Sequence, residues 1–192
     1  MANGTLKVSN IQTSSGSGTI TLGQSGETVD FSNGTITLNS SMKNTPAFFA
    51  SLSSSQSLSH NTYTKIVCDS ESFDTDTAYD TSTGRFTVPS GEAGKYYFCF
   101  EGYTYDSSYK QLQSNPTFYK NGSKFVETYF EFQSDQTVYD VYWSISHLFN
   151  LSAGDYIEPY YRHKTSDSGA LNVEGSSSSR LTYFYAYKLV GA

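Results

Sequence analysis

Residues 68–100 read CDSESFDTDTAYDTSTGRFTVPSGEAGKYYFCF. Its last part, Lys95-Tyr96-Tyr97-Phe98-Cys99-Phe100, places Tyr96, Phe98 and Phe100 at every second position, the period of a strand with one buried face. Upstream, the run from Tyr79 to Phe86 reads as strand, turn and strand, with Gly84 free to take a positive φ in the turn. Pro89 then closes the second strand, because its ring nitrogen cannot donate to a ladder. The aspartates Asp69, Asp74, Asp76 and Asp80 offer oxygen ligands at loop spacing, which is calcium chemistry. Aspartates also populate solvated turns, and that reading takes precedence here.

The same punctuation continues outward. Tyr119-Lys120-Asn121-Gly122 carries the strongest two-residue hairpin signal. Strand-like alternation follows over Phe125–Phe132, Val138–Ser146, Asp155–Tyr160 and Leu181–Leu189, with turn chemistry at Gly154-Asp155. No window shows a helical period. Many short strands separated by turns predict an all-β sandwich or jelly roll.

The N-terminal 43 residues differ. They hold no Tyr, and Gly18-Thr19-Ile20-Thr21-Leu22 recurs as Gly34-Thr35-Ile36-Thr37-Leu38, with a looser copy at Gly4-Thr5-Leu6-Lys7-Val8. Each copy alternates polar and aliphatic residues, and Ser/Gly turn material lies between. Strands this short cannot form a core alone. Ile20, Leu22, Ile36 and Leu38 therefore predict a stalk whose aliphatic face is completed by neighbouring copies, in preference to a flexible linker. The expected organisation is a stalk or anchor over 1–43 and a head over 44–192.

The spacing around residues 68–100 resembles the globular head of complement component 1q, in the tumour-necrosis-factor-like jelly-roll superfamily. Asp74, Tyr79 and Phe86 hold the family's spacing, and Gly94, Tyr96, Phe98 and Phe100 complete its G-x-Y-x-F-x-F ending. Cys68 stands where the family usually has Phe, and the segment from Phe86 to Gly94 is two residues longer. Pro46–Ala50 resembles the family's opening strand, Tyr119–Gly122 its central hairpin, Leu151–Asp155 its late turn and Phe184–Leu189 its closing strand. The resemblance implies an antiparallel jelly-roll sandwich and a homotrimer with aromatic side chains at its threefold axis.

Composition agrees. The chain has 192 residues, of which 16% are aromatic, including 17 Tyr and 13 Phe, against only 16% charged. Tyr103, Tyr105, Tyr109, Tyr129, Tyr139, Tyr142, Tyr160, Tyr161, Tyr183, Tyr185 and Tyr187 exceed what one core can hold. Tyr103, Tyr105, Tyr142, Tyr160, Tyr185 and Tyr187 are the candidates for the trimer axis or a recognition surface. A net charge of −6 and the lack of a basic stripe argue against nucleic acid, and no apolar run spans a bilayer. The first residues carry no signal-peptide pattern. Cys68 and Cys99 have no metal-type spacing; two packed free thiols are expected, with a single disulfide as the alternative.

No catalytic pattern appears. His60, His147 and His163 sit in no triad or metal motif, and no nucleophile elbow or phosphate loop is present. The carboxylate pairs Asp74/Asp76 and Glu127/Glu131 lack the long β-helix on which glycan-cleaving phage enzymes carry theirs. The expectation is a binding protein with no enzymatic activity and no cofactor. A short β-stalk before a trimeric head resembles bacteriophage fibre and decoration proteins, which implies a place on the virion surface. Residues 1–43 would then contact other virion proteins, and the head would bind a host-surface glycan or lipopolysaccharide. A cementing or adaptor protein of the particle is one alternative, and a secreted module of complement or cytokine type is another.

Overall fold

The computed structural model describes residues 11, 19, 25–32, 34–38, 42–106, 110–133, 138 and 140–190. The chain divides into two units, Met1–Thr37 and Leu38–Ala192. The described residues of the first unit form no strand. Ile20 and Leu22 lie outside the described residues. The strand expected over Gly34–Leu38 is not formed, and Ile36 and Leu38 are 52% and 40% exposed. A strand needs a ladder partner for its backbone groups, and among the described residues none pairs with Gly34–Leu38.

Among the described residues every strand belongs to the second unit. In chain order they are β1 (Ala47–Ser51), β2 (Gln56–Leu58), β3 (Thr64–Lys65), β4 (Ser70–Asp74), β5 (Tyr79–Asp80), β6 (Arg85–Thr87) and β7 (Gly94–Tyr105). There follow β8 (Gln111–Lys120), β9 (Ser123–Glu127), β10 (Phe130–Glu131), β11 (Asp140–Leu151), β12 (Tyr156–Thr165), β13 (Leu171–Val173) and β14 (Tyr183–Lys188). One sheet runs β2-β13-β7-β14-β1-β4, with β11 also paired to β7. The other runs β10-β8-β12-β6-β5, with β3 on β12 and β9 on β8. All the pairings between these strands are antiparallel, beside one isolated parallel bridge from Lys110 to Val138, and the first strand neighbours the last, Ala47 opposite Tyr187 and Ser51 opposite Tyr183.

The core lies between the sheets and is aromatic, as the β7 alternation requires. Phe98 meets Phe86 and Phe149 edge-on at 5.2 and 5.4 Å, and Phe100 packs on Trp143 at 4.6 Å. Such edge contacts add to the area these rings bury. The residues that carry the family resemblance are structural. Tyr79 stacks on Phe48 at 4.4 Å and its hydroxyl donates to the Cys68 carbonyl at 2.8 Å. The Asp74 carboxylate accepts from the backbone amides of Asp76 and Tyr79, which shapes the approach to β5. Gly84 takes φ +67° in the β5–β6 turn.

The Asn121-Gly122 turn has both residues at positive φ and is tied to the late turn. The Asn121 amide donates to Asp155 at 2.8 Å, while Lys120 approaches the same carboxylate at 3.0 Å. The Asn121 hydrogen bond, with help from Ser152 and Lys120, lowers the Asp155 carboxyl to about 2. The expected strand over Phe125–Phe132 is interrupted at Thr128 and Tyr129. Pro116 on β8 has no N–H for the ladder there, and only the Thr128 amide bonds to its carbonyl.

Candidate functional site

The outward face of the first sheet is rich in aromatic side chains. Because Tyr96, Phe98 and Phe100 point into the core, Tyr97, Cys99, Glu101, Tyr103 and Tyr105 on β7 must point outward. Register places Phe49 of β1 beside Tyr185 of β14, and Tyr187 beside Tyr97. The rings touch in sequence: Phe49 stacks on Tyr183 and Tyr185 at 5.4 and 5.8 Å, and Tyr97 approaches Tyr187 at 5.5 Å. Tyr103 and Tyr142 stack at 4.6 Å across β7 and β11. At the margins Phe73, Leu148 and Tyr142 are 50, 59 and 75% exposed.

One polar cluster sits within this face. Glu101 accepts from the Tyr183 hydroxyl at 2.6 Å and from the Cys99 thiol at 3.1 Å. The Glu101 hydrogen bond, then burial, pushes the Tyr183 hydroxyl up to about 12. Burial pushes the Cys99 thiol up to about 11. Both groups are protonated at neutral pH, so Glu101 keeps its two donors.

Five of the six tyrosines singled out from the sequence, Tyr103, Tyr105, Tyr142, Tyr185 and Tyr187, therefore share one face. Tyr160 does not. It stacks on Tyr119 at 3.9 Å on the outer face of the other sheet, with the whole core between. On that second face Glu158 holds Lys65 at 3.1 Å and Arg85 at 2.9 Å, and Arg85 covers the Tyr156 ring. Tyr161 is buried, sharing a hydrogen bond with Ser114 at 2.6 Å. Tyr109 and Tyr139 lie outside the described residues. Phe49, Tyr97 and Tyr183 belong to the aromatic face as well, and the parity of β7 alone would have singled out Tyr97.

The four aspartates considered for calcium do not converge. Asp69 accepts from Ser53, Asp74 from Asp76 and Tyr79, Asp76 from Thr75 and Asp80 from Ser82. Among the described residues no group of His, Cys, Asp and Glu is placed to hold a metal. No helix of the described residues is long and apolar enough to cross a membrane.

Two antiparallel sheets around an aromatic core, with first and last strands paired in one of them, define a jelly-roll module of tumour-necrosis-factor type. The C1q domain pattern matches residues 47–184, and the chain belongs to the C1q domain family. The globular domain of zebrafish complement 1qA protein is 16% identical, over 75% of this chain and 97% of that one, with a TM-score of 0.49. The Eiger TNF of S. frugiperda is 13% identical, over 76% and 93%, with a TM-score of 0.52; the likeness is one of fold. No curated protein matches the sequence.

Proposed function

We propose that this chain is a non-catalytic binding module that assembles as a homotrimer through the outward face of its first sheet. The observation that carries this is the run of touching rings Phe49, Tyr183, Tyr185, Tyr97 and Tyr187, with the separate stacked pair Tyr103 and Tyr142 on the same face. A surface rich in aromatics and poor in charge has the composition of an interface core. It is also larger than the scattered apolar side chains a monomer ordinarily exposes. Domains of this family typically form homotrimers. Light scattering on the full chain should give about three times 21.2 kDa, and a stable monomer at micromolar concentration overturns the reading.

The setting we favour is the surface of a virus particle, as a fibre or adhesin anchored through residues 1–43. Its support is the Gly-Thr-Ile-Thr-Leu repeat, whose Ile36 and Leu38 one chain leaves exposed and intertwined copies would cover. A secreted module of complement or cytokine type is equally consistent with the C1q domain itself. The readings part at the repeat. An Ile36→Cys variant should form disulfides between copies under mild oxidation if the segments intertwine; no cross-link removes the support for a stalk. Binding of labelled protein to bacterial cells favours an adhesin over a cementing protein of the particle. The net charge of −6 per copy, −18 for three copies, favours solubility and opposes non-specific adhesion to anionic lipopolysaccharide.

A further inference from the structure

A concave site at one end of the first sheet is built almost wholly of hydroxyls and one cation. It encloses about 510 Å³ and is lined by seven serines, Ser51 of β1, Ser70 and Ser72 of β4 and the loop 176–179, together with Arg180. Its size falls within the range of roughly 300–1,000 Å³ that suits small-molecule ligands. The lining is unlike that of an apolar pocket. Each serine hydroxyl can donate one hydrogen bond and accept others, as the hydroxyls of a sugar do.

Arg180 gives the site its charge. Its guanidinium receives no carboxylate among the described residues: one amino group donates to the Ser72 hydroxyl at 3.2 Å, and the plane lies 5.2 Å from the Phe49 ring. Glu71, between Ser70 and Ser72 on β4, makes no ion pair with it, and two other acids are engaged elsewhere. Asp69 takes both donors of Ser53, and Glu101 takes Tyr183 and Cys99. A guanidinium held by a ring and one hydroxyl keeps donors for a planar anion, whose two oxygens match its fork. The smaller hollow beyond Arg180, about 210 Å³ and bearing Tyr142, Leu181 and Tyr183, belongs to the aromatic face assigned to the trimer contact, so the ligand occupies the serine cavity alone.

The cavity lies where Ser51 pairs with Tyr183, at the end of the sheet opposite Ala47 and Lys188.

We propose that this cavity binds an acidic saccharide, the carboxylate of the ligand pairing with Arg180 and its hydroxyls exchanging hydrogen bonds with the serines. The inference rests on the reading of the chain as a binding module and names the ligand class of that module. Hexuronates and sialic-type sugars share this chemistry.

The test is calorimetric titration of the full chain with digalacturonate, sialyllactose, lactose and sodium sulfate, with light scattering on the same samples. One of the two acidic sugars is expected to bind, and to bind at least tenfold more tightly than lactose. Arg180→Gln should weaken that binding tenfold or more, and Arg180→Lys should recover part of it. Ser72→Ala, which removes only one hydroxyl, should weaken it by a smaller factor. Whichever acidic sugar binds identifies the source. Equal binding of lactose, no effect of Arg180→Gln in a folded variant, binding of sulfate without either sugar, or no acidic-sugar binding at 10 mM or so each overturns the proposal. A monomer that still binds the sugar overturns the trimer and leaves the site. A trimer that binds no acidic sugar does the reverse.

Discussion

The rings of Tyr103 and Tyr142 lie stacked across β7 and β11, 4.6 Å apart, while Tyr142 remains 75% exposed. Tyr103 is fixed from its other end, where its hydroxyl donates to the Asp140 carboxylate, a bond that raises its titration above the usual phenol range. The pair is thus held ready at the surface without being buried by its own chain. Ordering of this kind reduces what association costs in side-chain entropy.

Tyr142→Ser should therefore act on assembly rather than on folding. An interface aromatic that packs into the partner as a hot spot contributes about 2 kcal/mol or more to association. An exposed side chain contributes within about 0.5 kcal/mol to the fold. Trimer dissociation, followed by light scattering on dilution, should shift by about thirtyfold for a 2 kcal/mol change. Unfolding measured below the dissociation concentration should change little. An unchanged dissociation midpoint would remove Tyr142 from the interface.

Gly102 tests the core beneath the same strand. A Cβ built there would lie 2.3 Å from the Trp143 ring and 2.8 Å from the Thr182 hydroxyl. Trp143 is itself buried against Phe100 and Tyr161 and has no room to withdraw. Gly102→Ala should cost about 1–3 kcal/mol, typical of overpacking. At roughly 2–4 °C per kcal/mol for a domain of this size, thermal unfolding should fall by several degrees. Gly91, with nothing near its missing Cβ, takes φ +84°, so Gly91→Asn supplies a control in which only the backbone preference is at issue.

Much of this architecture was legible because its signals are local. The inward parity of Tyr96, Phe98 and Phe100, the Asn121-Gly122 hairpin and the turn at Gly84 each depend on a few neighbouring residues. The separate face of Tyr160 was not legible, for the opposite reason. Tyr160 and Tyr161 are adjacent and both aromatic, so alternation does not say which one faces inward, nor which sheet β12 joins. β4 was missed because Ser70-Glu71-Ser72-Phe73-Asp74 is an exposed edge strand whose only credential is its pairing with β1. The serine cavity is assembled from segments more than a hundred residues apart, and no spacing within the sequence foretells it.

The thiols offer a third measurement. Cys68 and Cys99 are both free and buried, in keeping with two packed thiols rather than a disulfide. With Cys99 pushed up to about 11 by burial, only about one molecule in a thousand carries its thiolate at pH 8. Burial raises Cys68 further still. A disulfide-exchange reagent at pH 8 should label neither thiol in the native protein over minutes, and both after unfolding in denaturant. Rapid labelling of one thiol in the native state would mean that Tyr185 and its neighbours open readily above Cys99.

His163 sets the response to acid. It is buried beside Gly169, whose carbonyl lies 3.2 Å from Nε2, and Nδ1 has no hydrogen-bond partner. The His60 ring stands 6.1 Å away, edge-on. Burial lowers the His163 titration, the His60 charge adds to that, and the Gly169 bond and Asp106 oppose it. The unfolded chain therefore takes up this proton more readily than the native one. Stability from the neutral ring is complete above the unfolded value of about 6.5 and is lost progressively as pH falls below it toward the lower native value. The urea midpoint should accordingly drop between pH 7.5 and 5, and His163→Asn, which cannot take the proton, should lower the midpoint at pH 7.5 but flatten its slope with pH. A slope unchanged in that variant would assign the acid response to the carboxylates instead.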